Sequence, residues 1–161
     1  MTHPPSVRTV LEAEHRWIDE RFGQFQHGLE AGQADAHPFD EAAQKLHRHI
    51  YLEEELLFPR VETRGLAGPT AVMAQEHGEI CRQLDAVGSL LASDAGASRI
   101  REALGPLRGL LEEHNVKEEQ ILYPACDRLL TEQEAAELVE RLQEAEAPEG
   151  WLCRAHRIGE A

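Results

Sequence analysis

Two stretches of the chain, HIYLEEELLFP from His49 and HNVKEEQILYP from His114, write one pattern twice. Each opens with a His, carries a Glu four residues later and a second Glu behind it, and closes on an apolar pair, an aromatic ring and a Pro. Residues four apart on an α-helix differ by about 40° around the axis and so face one way. Their side chains then sit within about 5–6 Å of each other. His49 projects with Glu53, and His114 with Glu118. An imidazole beside a carboxylate is a ligand pair for a divalent or trivalent cation, and two such pairs can clamp two cations.

Two further imidazoles complete the set. EHRWI at Glu14 resembles EHGEI at Glu76, and the helical wheel puts His15 on the face of Leu11, Ile18 and Phe22. It puts His77 on the face of Met73, Ile80, Cys81 and Leu84. Burying four imidazoles and two carboxylates without partners costs several kcal/mol per ionised group, on the order of what folding can supply. A pair of cations removes that cost. Nitrogen and carboxylate ligands suit iron or manganese, with zinc a lesser option. Carboxylates shared between two metals would hold them about 3.5–4 Å apart, as in two-metal chemistry.

Simpler readings exist for each part. A lone His on an apolar helix face is ordinarily a satisfied core or boundary residue, and HxxxE arises by accident on charged helices. Two copies in register, each joined by one inward His from another helix, outweigh those readings. Glu54, Glu55 and Glu119 are left as a solvated face or as supports behind the ligands. Asp19 is either a surface residue or an acceptor for a ligand imidazole. Tyr51 is a candidate additional ligand, although the ideal wheel puts it about 200° from His49. Tyr123 takes the place of Phe58 in the repeat, which favours packing. His3, His27, His37 and His156 fall in loops or ends, and His47 lies nearly opposite His49. Cys81 follows His77 by one turn.

The elements that position these residues are helical. The chain has 161 residues, 42% of them hydrophobic but only 5% aromatic, and 29% charged. A composition dominated by Leu, Ala and charge favours helices. The net charge of −14 argues against nucleic-acid and anionic membrane partners. Three scattered cysteines, without a CxxC pair, read as reduced thiols of a cytoplasmic protein. MTHPPSVRTV lacks the features of a signal peptide.

A first helix is capped by Ser6 and ends in EAGQADAHP. A second runs from Phe39 to Arg60 and stops near Pro59. A third is capped by Thr70 and ends near SLLASDAGAS. A fourth runs from about Ser98 to near Pro124, with a kink or later start at Gly105-Pro106. The fold expected is all-α: an antiparallel up-down-up-down four-helix bundle over residues 1–128. Residues 129–161 add a short helix with a Thr131–Glu134 capping box and a tail, GWLCRAHRIGEA, that packs on the bundle or trails from it. Together they make a single domain.

The order His, HxxxE, His, HxxxE over about residues 7–125 resembles the hemerythrin-like family, or HHE cation-binding domain. That resemblance implies a four-helix bundle around two non-haem irons bridged by two carboxylates and an oxo or hydroxo group. His15 and His49 would serve one iron and His77 and His114 the other, with Glu53 and Glu118 as bridges. The chain departs from the oxygen carriers of the family in having Met73 where they have a further His. It also has the short spacing His114-x-x-x-Glu118. With one imidazole fewer, one iron should have a spare position or an unusual ligand. The pattern looks like an actinobacterial subgroup associated with peroxide decomposition. The implied ligand is a small molecule: hydrogen peroxide, or O2 or NO if the site binds reversibly or serves iron handling.

Overall fold

The computed structural model describes residues 3–158; residues 1–2 and 159–161, at the ends of the expected 1–128 and 129–161 segments, lie outside the described residues. It is an all-helical antiparallel bundle. Helix α1 (Val7–Glu30) starts at Ser6, whose hydroxyl accepts the Thr9 N–H, and buries Val7, Leu11, His15, Ile18, Phe22, Phe25 and Leu29 along one stripe. Helix α2 (residues 37–61) joins His37–Tyr51, a π-helical stretch Leu52–Leu57 and Phe58–Val61. Helix α3 is Ala67–Ala92. Helix α4 (residues 97–129) joins Ala97–Lys117, a π-helical stretch Glu118–Leu122 and Tyr123–Leu129. Two short helices follow, α5 (Glu132–Glu144) and α6 (Arg154–Ile158). α1 packs on α2 and on α4, and α3 packs on α4. Among the described residues no helix is long and apolar enough to cross a membrane.

Neither repeat proline stops its helix. The turn before each one widens, so that Phe58 N–H donates to Glu53 O and Tyr123 N–H to Glu118 O, five residues back. Pro59 and Pro124 then fall in the first turn after the π-helical stretch, where a missing N–H costs little. The chain reverses instead at Arg64 and Gly65. Gly65 has φ 100°, a left-handed conformation open to glycine. Thr70 is no cap either: it lies inside α3, buried, with its hydroxyl donating back to Leu66 O at 2.8 Å. α4 starts at Ala97 and continues through Pro106.

The Thr131–Glu134 capping box forms with both of its bonds. Arg64 grips the same Glu134 through both guanidinium nitrogens, at 2.7 and 2.9 Å. Arg48 donates to Leu142 O and Ala145 O, taking up carbonyls at the far end of α5. The tail packs on the bundle. Trp151 joins the apolar core, its indole N–H donates to Glu55, and Arg154 N–H donates to Glu54 Oε1 at 2.8 Å.

α6 lies so close to α3 that a Cβ on Gly78 would meet Ala155 Cβ at 2.6 Å. Gly78→Ala must therefore lift α6 while leaving α1–α4 in place, at about 1–3 kcal/mol. Limited proteolysis should cut the tail several-fold faster than in the wild type. An unchanged cleavage rate would show that the close approach is not obligatory.

Candidate metal centre

Each long helix delivers its chemistry to one layer at mid-bundle. His15 of α1, His49 and Glu53 of α2, His77 of α3, and His114 and Glu118 of α4 are all buried, none more than 5% exposed. His15 Nε2 lies 3.0 Å from His49 Nε2, and the His77 and His114 rings are 4.9 Å apart. The carboxylates stand between these pairs. Glu53 Oε1 is 3.3 Å from both His49 Nε2 and His77 Nε2. Glu118 Oε1 is 3.1 Å from His15 Nε2 and 3.2 Å from His114 Nε2. Each carboxylate thus faces one imidazole from each half of the chain. Ligand atoms of Glu53, His77, His114 and Glu118 all lie within 4.8 Å of one another, as do those of His15, His49 and Glu118. Either group could hold a metal ion.

The widened turns matter here. Five residues apart on a regular helix means about 140° apart around the axis, yet the Tyr123 hydroxyl reaches Glu118 Oε1 at 3.1 Å. The same hydroxyl donates to Glu53 Oε2 at 2.8 Å and lies 3.2 Å from His15 Nε2 and 3.4 Å from His49 Nε2. The phenol brought to the cluster is therefore Tyr123, not Tyr51, whose ring stands edge-on to Trp151 at 5.3 Å. Phe58, the counterpart of Tyr123, stacks on His77 with rings 5.9 Å apart.

Behind the imidazoles stands a second set of carboxylates. His49 Nδ1–H donates to Glu14 and His114 Nδ1–H to Glu76, both at 2.9 Å. These are the Glu residues of the two EH dipeptides, each crossing to a neighbouring helix. His77 Nδ1–H donates to Glu54 at 2.7 Å. Such bonds fix which ring nitrogen faces inward. His15 is the exception. Its Nδ1 has no hydrogen-bond partner among the described residues, and Glu119, the counterpart of Glu54, is 3.7 Å away. Asp19 is turned outward to Arg108, at 2.9 Å.

A cleft of about 650 Å³ between α1 and α4 ends on His15 and Glu119. Gly105 and Gly109 line it, with nothing near where a Cβ would stand. Arg108 spans it, donating to Asp19 and to Gln26. Of the histidines read as ordinary, His47 reaches Trp151 O and His156 reaches Gly78 O, neither of them near the cluster.

Protonation follows from this packing. Burial pushes His49 down, but the charge of Glu53 and the hydrogen bond to Glu14 raise it well above the ordinary imidazole value. Burial also opposes His77, which the close Glu53 carboxylate and the bond to Glu54 raise. His114 overcomes burial through Glu118 and Glu76 and rises to about 10. Burial would lift Glu118, but the charge of His114 and the close His114 and His15 rings hold it well below the usual carboxylate range. Its bond from His114 carries Glu76 down to about 2. Tyr123, buried beside Glu118 and Glu53, keeps its proton far above the ordinary phenol value.

The donor set fits a pair of cations on its own chemistry. Glu53 Oε1, Glu118 Oε2 and His77 Nε2 are buried and have no hydrogen-bond partner among the described residues. Atoms like these are satisfied by a metal. The model of the hemerythrin HHE cation binding domain matches residues 6–126. No curated protein matches the chain.

Two outcomes follow. The raised His114 ion pair stabilises the metal-free fold fully below about 6.5, the ordinary imidazole value, and that contribution is lost as pH climbs through about 10. Metal needs the neutral ring, so loading should release protons, and affinity should rise with pH across the same window. A weakly buffered titration with a pH indicator reads this directly, and proton-neutral loading would contradict it. Replacing Glu14 or Glu76 by Ala should weaken metal binding by about 10–100-fold, measured by competition with a chelator.

Proposed function

Because the chain belongs to the hemerythrin HHE cation-binding domain family, we propose that it is a non-haem di-iron protein that decomposes hydrogen peroxide as a catalase does. The observation that carries this reading is the placing of Glu53 and Glu118, each between one imidazole of either half. His15 and His49 would hold one iron, His77 and His114 the other. Glu53 and Glu118 would bridge them beside an oxo or hydroxo group. Bound there, the irons supply two-electron chemistry, with one peroxide reduced to water and a second oxidised to dioxygen.

The chain's own residues set the conditions. Glu53 and Glu118 bring negative charge to the centre. Glu14, Glu54 and Glu76 orient the imidazoles behind them. Tyr123 holds a buried hydroxyl proton among both carboxylates and the His15–His49 pair. The hydroxyl is placed to donate to a small oxygen ligand there, and the α1–α4 cleft gives that ligand a way in to His15. Three free cysteines fit a reducing, cytoplasmic setting.

Adding hydrogen peroxide to the iron-loaded protein should release dioxygen well above the rate of free iron. No excess release would reject catalysis. A spectrum that instead returned through repeated cycles of oxygen pressure would favour reversible binding. Tyr123→Phe should slow peroxide turnover by about 100-fold while both irons are retained. Glu118→Ala should lose metal and stability together, and a variant keeping two irons and full activity would remove Glu118 from the site.

A further inference from the structure

Two thiols lie outside the metal centre and are unused by the reading above. Cys81 sits on α3, one turn after His77, partly exposed; Cys153 lies just before α6, 2% exposed. Both pack against the same apolar cluster, at the joint between α3 and the tail. Neighbouring contacts hold that joint in place. Ala155 is pressed on Gly78, and His156 Nε2–H donates to Gly78 O at 2.9 Å. The Arg154 guanidinium holds Glu54 O and Glu62. The third cysteine, Cys126, belongs to the other apolar cluster.

We propose that Cys81 and Cys153 are a peroxide-oxidised pair whose disulfide locks the C-terminal tail onto α3. The roles of the two sulfurs differ. The neighbouring Cys81, and after it the His156 backbone, hold the Cys153 thiol down to about 6 against the effect of burial. The neighbouring Cys153 and burial push Cys81 up. Cys153 is thus the nucleophile. Its sulfur attacks one peroxide oxygen, the O–O bond breaks, and hydroxide leaves to take up a proton as water, giving a sulfenic acid. The Cys81 sulfur then attacks that sulfenic sulfur, an S–S bond forms, and the S–OH oxygen leaves as a second water. Overall, two thiols and one peroxide become one disulfide and two waters. The oxidant must be small, because Cys153 is almost wholly covered; a bulky disulfide reagent cannot reach it.

The lock bears on the metal centre through one strand of contacts. Arg154 follows Cys153, its N–H donates to Glu54 Oε1, and Glu54 Oε2 accepts the His77 Nδ1–H. Closing the disulfide fixes that chain of bonds.

Full-length, iron-loaded protein under a continuous feed of hydrogen peroxide, alkylated without reduction and mapped by mass spectrometry, tests the pair. The expected product is a peptide joining Cys81 to Cys153, two hydrogens lighter, with Cys126 recovered as an alkylated thiol. Cys81→Ser should leave a Cys153 sulfenic acid that dimedone captures once the oxidised protein is unfolded in its presence, and Cys153→Ser should leave Cys81 as a thiol. Oxidised wild-type protein should lose its tail to protease several-fold more slowly than reduced protein. Free Cys81 and Cys153 after peroxide, a link to Cys126, or equal cleavage of both forms overturns the proposal. None of these readouts depends on turnover at the metal centre, so the two readings fail separately.

Discussion

Six ionisable side chains in the middle of a helical bundle set the terms for everything around them. They divide the apolar interior into two clusters. One is built around Phe22, Phe25, Phe39, Leu84 and Leu104, the other around Leu11, Leu57, Phe58, Leu122 and Leu138. A polar layer between two greasy ones survives only if each charge meets its opposite at close range. The chain arranges this in shells. Inner carboxylates face imidazoles, and outer carboxylates take the far nitrogens of three of those rings. The outer carboxylates are then met in turn: Glu14 by Arg48, Glu76 by Lys117, and Glu54 by the Arg154 N–H. Even the short helix α5 enters this scheme, since Arg48 ties its last carbonyls and Glu14 with one guanidinium.

The shells follow an approximate two-fold that relates the halves of the chain, and its breaks are informative. Phe58 and Tyr123 occupy equivalent places after equivalent widened turns. One ring stacks on His77, and the other stacks on His15 while adding a hydroxyl to the cluster. Glu54 and Glu119 are likewise equivalent, yet only Glu54 closes on its imidazole. The difference has a visible cause. Arg154 and the tail cover Glu54 and press it inward, whereas Glu119 opens on the α1–α4 cleft.

Much of this was legible in the residues. The stripe of α1 and its Ser6 cap, the capping box of α5 and the meeting of His15, His49, Glu53, His77, His114 and Glu118 all follow from spacing, because burial and helical period act on the same positions. The prolines were misread because a 3.6-residue rule offers them only a stop or a kink. A π turn is a third answer, and only the backbone bonds Phe58–Glu53 and Tyr123–Glu118 reveal it. Tyr123 reads as a packing residue for the same reason: on a regular helix it points away from Glu118. Glu14 and Glu76 carried a signal in the repeated EH dipeptide, but their partners lie on other helices, beyond what local spacing can state. The tail has no period, and its position depends on contacts with Gly78 and Glu54 that no local pattern encodes.

The widened turns also explain why the repeat ends in Pro. A π turn loses favourable geometry and would relax to a regular helix if the next residue could donate to the carbonyl four back. Proline has no N–H to donate, so at Pro59 and Pro124 that regular bond is unavailable. The proline therefore holds the turn open, the turn brings the aromatic ring onto the face of the carboxylate, and the ring closes the metal layer from the side of the second apolar cluster. On that account the repeated unit is the whole run from His through Glu and the aromatic to Pro, each part needing the next.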